Sequence, residues 1–163
     1  VTDEVDRIVE AWQREQPDLD LAPLQVLSRV TRLARHLDRD RRAAFDAHDL
    51  DVWEFDVLAA LRRGGPPHEA SPGALAAATM VTSGTMTARL AKLEARGLLR
   101  RRTDPQDGRG VIVSLTPLGR DAVDAALHDL VTRERGLLAG LDSEEQHRLA
   151  ALLRRILVPL DGG

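Results

Sequence analysis

The segment from Ser71 to Leu115 leaves the chain few ways to fold, because it sets two short helical patterns, a tight break and a basic alternating hairpin directly after one another. Ser71 suits an N-cap and Pro72 the first helical position, whose N–H needs no partner, so Ser71 to Met80 reads as one helix. Its alanine run lets a second helix approach closely. After Val81, Thr82 and Ser83 offer new caps, and the spacing of Met86, Leu90 and Leu93 predicts a helix through about Arg96 with one apolar stripe. Gly97 then stops it, as a C′ glycine does.

With that stripe turned inward, Gly84, Thr85, Ala88 and Lys92 point outward, with Ser83 and Thr87 on the flanks. Short side chains allow deep entry into a major groove, hydroxyls bond base edges or phosphates, and methyl groups touch thymine. An ordinary surface helix carries more Glu and Lys on that face. The hairpin that follows runs Leu98 to Thr103, turns through Asp104 to Gly110, and returns through Val111 to Leu115, where Val111, Val113 and Leu115 alternate as in a half-buried strand. Gly108 and Gly110 bracket Arg109 near the tip. An arginine on a thin ribbon reaches the narrow minor groove of A·T-rich DNA, and Asp107 is placed to steady it through paired hydrogen bonds. The whole reads as a winged helix-turn-helix, with Ser71, Thr82, Ser83, Thr85, Thr87, Ala88, Lys92 and Arg109 as candidate contacts to double-stranded DNA.

Charge supports this locally and not globally. Between Thr82 and Gly110, Arg89, Lys92, Arg96, Arg100, Arg101, Arg102 and Arg109 stand against Glu94, Asp104 and Asp107, although the 163-residue chain carries a net charge of −3. The acid elsewhere limits nonspecific binding while the basic patch meets phosphates.

The length suits one domain with a real core, and the fold class expected is mainly α with a small β-hairpin. There are no cysteines, which excludes disulfides, thiolate metal sites and thiol redox sensing. His36, His48, His68, His128 and His147 show no paired metal-ligand spacing, and no cofactor is expected. No apolar run reaches the ~20 residues of a membrane span and the acidic start lacks a signal-peptide pattern, so a cytoplasmic protein is expected. Gly-x-Ser-x-Gly, phosphate-loop, His-Glu-x-x-His and dinucleotide signatures are all missing, so an enzyme is not expected. A helical adaptor without DNA binding is the rival from another class.

Around the reader lie more helices. Asp3 to about Glu15 repeats Val5, Ile8, Val9 and Trp12 before Pro17 breaks it; Pro23 opens a longer helix ending near Phe45; Asp51 caps one through Arg63; Thr116-Pro117 starts one ending near Gly140; and Asp142 to Glu145 caps a last, with Leu149, Leu152, Leu153 and Ile156 on its face. The outer amphipathic helices are not needed to complete a winged helix of about 70 residues, so their stripes call for a partner. A symmetric homodimer whose terminal helices interleave would set two recognition helices about 34 Å apart over a pseudo-palindrome. Three parts of one domain follow: N-terminal helices over 1–50 for dimerisation and a possible pocket wall, the winged helix-turn-helix over 51–116, and C-terminal dimerisation helices over 117–163.

The helix order, the run Thr82 to Leu98, the wing Asp104-Pro-Gln-Asp-Gly-Arg-Gly-Val111 and the exit Leu115-Thr-Pro-Leu-Gly119 resemble the MarR (multiple antibiotic resistance regulator) family over nearly the whole chain. The resemblance implies a dimeric winged-helix transcription factor, usually a repressor, released from its operator by a small, often anionic or phenolic, molecule. By the same resemblance Arg109 enters the minor groove and Ser83, Thr85, Thr87 and Lys92 lie on the major-groove side. Peroxide-sensing members need a reactive Cys, which this chain lacks.

Asp56 stands on a helix that is apolar on two sides, so its carboxylate is expected to be partly buried and to need a partner, for which Arg89 is available. The set Trp12, Asp56, Arg89 and Arg101 resembles the signature of the family's urate-responsive branch, which also carries an extra N-terminal helix. That resemblance implies an anionic purine stacking on Trp12, pairing with Arg89 and repelling Asp56, with Arg101 transmitting the shift. Each residue also has an ordinary job open to it: Trp12 as a dimer-core aromatic, Asp56 and Arg89 as a structural ion pair, Arg101 as a phosphate contact.

Overall fold

The computed structural model describes residues 2–108 and 110–161. Along them run α1 (Glu4–Glu15), α2 (Ala22–Asp46), α3 (Val52–Arg63), β1 (Glu69–Ala70), α4 (Pro72–Ala78), α5 (Ser83–Ala95), β2 (Leu99–Thr103), β3 (Val111–Leu115), α6 (Pro117–Leu137) and α7 (Ser143–Asp161). The fold is mainly helical with one small antiparallel sheet in the order β1-β3-β2, as expected from the sequence except for β1. The chain forms two compact units, Val1–Ala43 and Ala44–Gly163. None of the helices among the described residues is long and apolar enough to cross a membrane.

In the first unit Asp3 caps α1 by accepting from the amides of Val5 and Asp6 at 2.8 and 3.0 Å, while the Asp6 carboxylate accepts from the Asp3 amide at 2.8 Å. Arg29 of α2 reaches back to both carboxylates, 2.9 Å to Asp3 and 2.7 Å to Asp6, and both are held below the usual carboxylate range, first by these backbone hydrogen bonds and then by Arg29. Beneath this tie lie Val5, Val9 and Leu21, with Leu24 packed against them. Of the predicted α1 face, Val5 and Val9 are buried, whereas Ile8 and Trp12 stand exposed.

The second unit holds the large core. Phe45 and Phe55 stack at 4.0 Å, and Val57, Leu58 and Leu61 of α3 meet Leu75 of α4, Met86, Leu90 and Leu93 of α5, Leu99 and Val113 of the hairpin, and Val123 and Ala126 of α6. At about 1.5–3 kcal/mol for each large apolar side chain removed from water, this cluster fixes the orientation of α5. Gly97 takes φ +71° after the last turn of α5, which a side chain would resist. Thr116 then ties the hairpin exit to that turn: its hydroxyl donates to the Gly97 carbonyl at 2.8 Å and accepts from the Gly119 amide at 3.0 Å. A Cβ on Gly119 would stand 1.9 Å from the Leu98 carbonyl oxygen, so only glycine lets α6 lie this close to the hairpin.

Four expectations need correction. The first reader helix ends at Ala78 rather than Met80, because the Thr79 hydroxyl turns back onto the Leu75 carbonyl at 2.8 Å and Met80 adopts φ +52°. Helix α6 ends at Leu137, short of Gly140, with a tight turn closing through the amides of Leu138 and Ala139. Of the alternating strand residues only Val113 is buried; Val111 pairs with Thr103 at the turn end of the hairpin, away from the core, and is exposed. Strand β1, two residues long, pairs Glu69 with Ser114 and Ala70 with Val113, so β3 has partners on both sides. By contrast the capping box at Asp142 and Glu145 forms with both bonds at 2.9 Å, and the α7 it starts contains no buried residue.

Candidate nucleic-acid interface

Thr82 is the N-cap of α5: its hydroxyl accepts from the Thr85 amide at 3.2 Å and donates to the Thr85 hydroxyl at 3.0 Å. Ser71 caps α4 in the same way, accepting from the Ala74 amide at 3.2 Å. Both hydroxyls therefore have a capping job, which fixes where the two helices begin. Met86, Leu90 and Leu93 are buried to the last few per cent of their surface, and the residues between them emerge on the other side. Ser83, Gly84, Thr85, Thr87, Ala88 and Lys92 are all exposed, and the Thr87 hydroxyl donates to the Ser83 carbonyl at 3.0 Å. The exposed face of α5 thus carries small side chains and hydroxyl oxygens with free lone pairs, the surface a major groove can accommodate.

On one flank of that face stands an aromatic that the sequence did not single out. Trp53 of α3 fixes its ring by donating from Nε1 to Asp51 at 3.1 Å, and the Arg89 guanidinium lies over the ring at 5.3 Å from its centroid, with the Lys92 ammonium at 6.0 Å. Arg89, the partner expected for Asp56, is thus engaged by Trp53, which precedes Asp56 by three residues on α3 and offers a broad ring to the α5 cations. Asp56 itself is half-buried, as expected. Trp12 belongs to the first unit and is 52% exposed.

Arg101 does not point freely outward. Its Nε donates to Glu94 of α5 at 2.8 Å, its backbone amide donates to the other Glu94 oxygen at 3.0 Å, and these bonds hold the Glu94 carboxyl below the usual range. Strand β2 is therefore fastened to the end of α5. Arg102 bonds Glu69 of β1 at 3.0 Å. Arg96, just past α5, donates to Glu54 at 2.6 Å and to Asp49 at 2.8 Å, and Glu54, whose side chain is only 5% exposed, holds it firmly in its charged form. Three of the cations read as basic patch are thus engaged internally. The exposed Arg100 forms no ion pair among the described residues, so it, Arg89 and Lys92 carry the outward charge of this surface.

The tip is fixed by an Asx turn, in which the Gln106 amide donates to the Asp104 carboxylate at 2.8 Å, and by the Gly110 amide donating to the Asp107 carbonyl at 2.7 Å. Arg109, and with it the expected Asp107–Arg109 pairing, lies outside the described residues. Trp53, Glu54 and Arg96 escaped sequence reading because their partners are distant in the chain. The one available signal was Asp51 with Glu54, a capping-box spacing in which the Glu54 carboxylate accepts from the Asp51 amide at 2.9 Å.

Comparison with known proteins agrees with this surface. Residues 48–110, from the α2–α3 connection to the wing, match the MarR family. The HTH-type transcriptional regulator PecS of Dickeya dadantii is 38% identical over 153 residues, covering 94% of this chain and 92% of that protein. A structure titled as the mechanism for regulation of DNA binding of Bordetella bronchiseptica BpsR by 6-hydroxynicotinic acid is 30% identical, with a TM-score of 0.59 over 78% of this chain and 98% of that one. A crystal structure of a mutant MarR from E. coli is 26% identical, with a TM-score of 0.66 over 85% of this chain and 97% of that one.

Proposed function

Because the chain belongs to the MarR family of transcriptional regulators, we propose that it acts in the cytoplasm as a homodimeric repressor that binds a pseudo-palindromic operator and is released by a small anionic ligand such as urate. The observation that carries the DNA-reading half is the exposed face of α5, small and hydroxyl-bearing, held rigid by the buried Met86, Leu90 and Leu93. Ser83, Thr85, Thr87, Ala88 and Lys92 meet the major groove, Ser71 and Thr82 meet flanking phosphates, and Arg109, supported by Asp107, enters the minor groove.

The dimer reading is supported by α7, whose Leu152, Ile156, Leu157, Val158 and Leu160 are exposed, and by Val26, Leu27, Val30 and Leu33 of α2. Such stripes are stable in water when a second copy covers them.

For release, Trp12, Asp56, Arg89 and Arg101 form the effector set. The local bonds give the set a route to DNA. Arg89 rests on the recognition helix against Trp53, and Arg101 is bonded to Glu94 at that helix's end, so an anion drawing either guanidinium away disturbs α5 directly. The DNA binding of the similar protein BpsR is regulated by 6-hydroxynicotinic acid, a small aromatic acid, which supports an anionic aromatic effector here.

Fluorescence anisotropy with labelled DNA from upstream of its own gene, at fixed salt, tests the reading. Urate should release the DNA, and Asp56→Asn should blunt that response while leaving DNA affinity within about threefold. Release by phenolic anions alone would discard the four-residue set, and failure to bind the DNA would overturn the repressor reading.

A further inference from the structure

Helix α2 has a face that the DNA-reading surface and the exposed apolar stripe do not use. Arg32, Arg35, His36, Arg39 and Arg42 recur at spacings of three, one, three and three residues, which sets them within about 120° of the helix circumference and along about 15 Å of its length. Val26, Val30, Leu33 and Leu37 occupy the opposite side. All five basic residues line, together with Asp38, a recess of about 450 Å³ that opens to solvent.

Among the described residues none of these four guanidinium groups pairs with a carboxylate; Arg39 instead donates to Nδ1 of His36 at 2.6 Å. The neighbouring arginines fall three and four positions apart, where like charges repel and weaken a helix. Elsewhere in the chain three arginines that sit three or four positions from an acid pair with it, Arg7 with Glu4, Arg133 with Asp129 and Arg148 with Glu144. Here the one carboxylate lining the recess, Asp38, stands three residues from Arg35 and four from Arg42 and pairs with neither, so four guanidinium groups face the recess against a single acid.

From this we infer that the Arg32–Arg42 face of α2 is a binding site for a compact polyphosphate, of the kind carried by nucleoside triphosphates. Guanidinium groups match phosphate oxygens in charge and geometry, and a row of four in a concave recess neutralises a short run of phosphates together. The recess carries no Trp, Tyr or Phe, and its one ring, His36, is bonded to Arg39, so the site reads the phosphate chain and is indifferent to the base. Binding also relieves the repulsion within α2, which couples occupancy to the helix's stability.

Isothermal titration of the full chain with sodium tripolyphosphate, ATP and GTP at about 50 mM salt, alongside thermal melts, tests this. All three should bind, with affinities within about threefold of one another, and each should raise Tm. In the Arg35→Gln/Arg39→Gln variant the affinity should fall more than about tenfold. Its Tm without ligand should equal or exceed that of the wild type, since a repulsion is removed. The proposal is overturned by no binding to the wild type at millimolar tripolyphosphate, by unchanged affinity in the variant, or by a preference for one base above about tenfold. It is equally overturned if the variant loses affinity for its upstream DNA as strongly as for tripolyphosphate, which would make the face a DNA-phosphate surface.

Discussion

Helices α5 and α7 are both amphipathic, yet the chain treats them in opposite ways. Met86, Leu90 and Leu93 of α5 are sealed by α3, α4 and the hairpin, whereas α7 presents Leu152, Ile156, Leu157, Val158 and Leu160 with no buried residue at all. A helix whose apolar side is satisfied within its own chain can offer its polar side to another molecule as a fixed template. A helix whose apolar side is open needs a second molecule to cover it. The two helices are therefore distinguishable by burial alone: the apolar side of α5 is closed within its own chain, and that of α7 is open.

The sharpest way to break the closed side is Gly119→Ala. Its Cβ would meet the Leu98 backbone, so the hairpin and α6 must separate, and urea unfolding should show a loss of more than about 3 kcal/mol. On the open side, Ile156→Glu should leave the far-ultraviolet spectrum unchanged while raising the dimer dissociation constant more than about a hundredfold, read as a halved mass by light scattering. A variant that stays dimeric would remove α7 from the interface.

Arg96→Ala returns to the closed side with a smaller effect. It strips the charge partner from the nearly buried Glu54 and frees Asp49, and because the Arg96 head is partly solvated the loss should be about 2 kcal/mol in the same unfolding experiment. Trp53→Leu should cost least in stability, yet it releases Arg89 and Lys92 from their ring. DNA affinity should change by no more than about fivefold, and the effector response should change more than the affinity. Equal changes in both would make Trp53 a DNA-positioning residue and no part of the switch.

Much of this architecture was legible in the sequence, for reasons that can be located. Caps at Asp3, Asp51, Ser71, Thr82, Thr116 and Asp142 are local signals, and every one of them starts a helix. The stripe of Met86, Leu90 and Leu93 and the C′ position of Gly97 are equally local. What escaped depends on partners far along the chain. Strand β1 exists because β3 offers an edge, which two residues after a proline pair cannot announce. The pairs Arg96–Glu54 and Arg101–Glu94 turned a run of apparent phosphate contacts into braces of the recognition helix. Trp53, read only as one apolar residue of α3, holds the cation that was expected to seek Asp56.

The central claim is that the small, exposed face of α5 reads DNA, and Ala88→Glu tests it most directly. Ala88 is exposed and stands outside the buried core, so the variant should fold and melt as the wild type does. A carboxylate placed in the major groove meets phosphate repulsion and leaves no room for close approach, so anisotropy with the upstream DNA should show affinity falling more than about a hundredfold. Unchanged affinity would mean that α5 does not enter the groove, and would contradict the account.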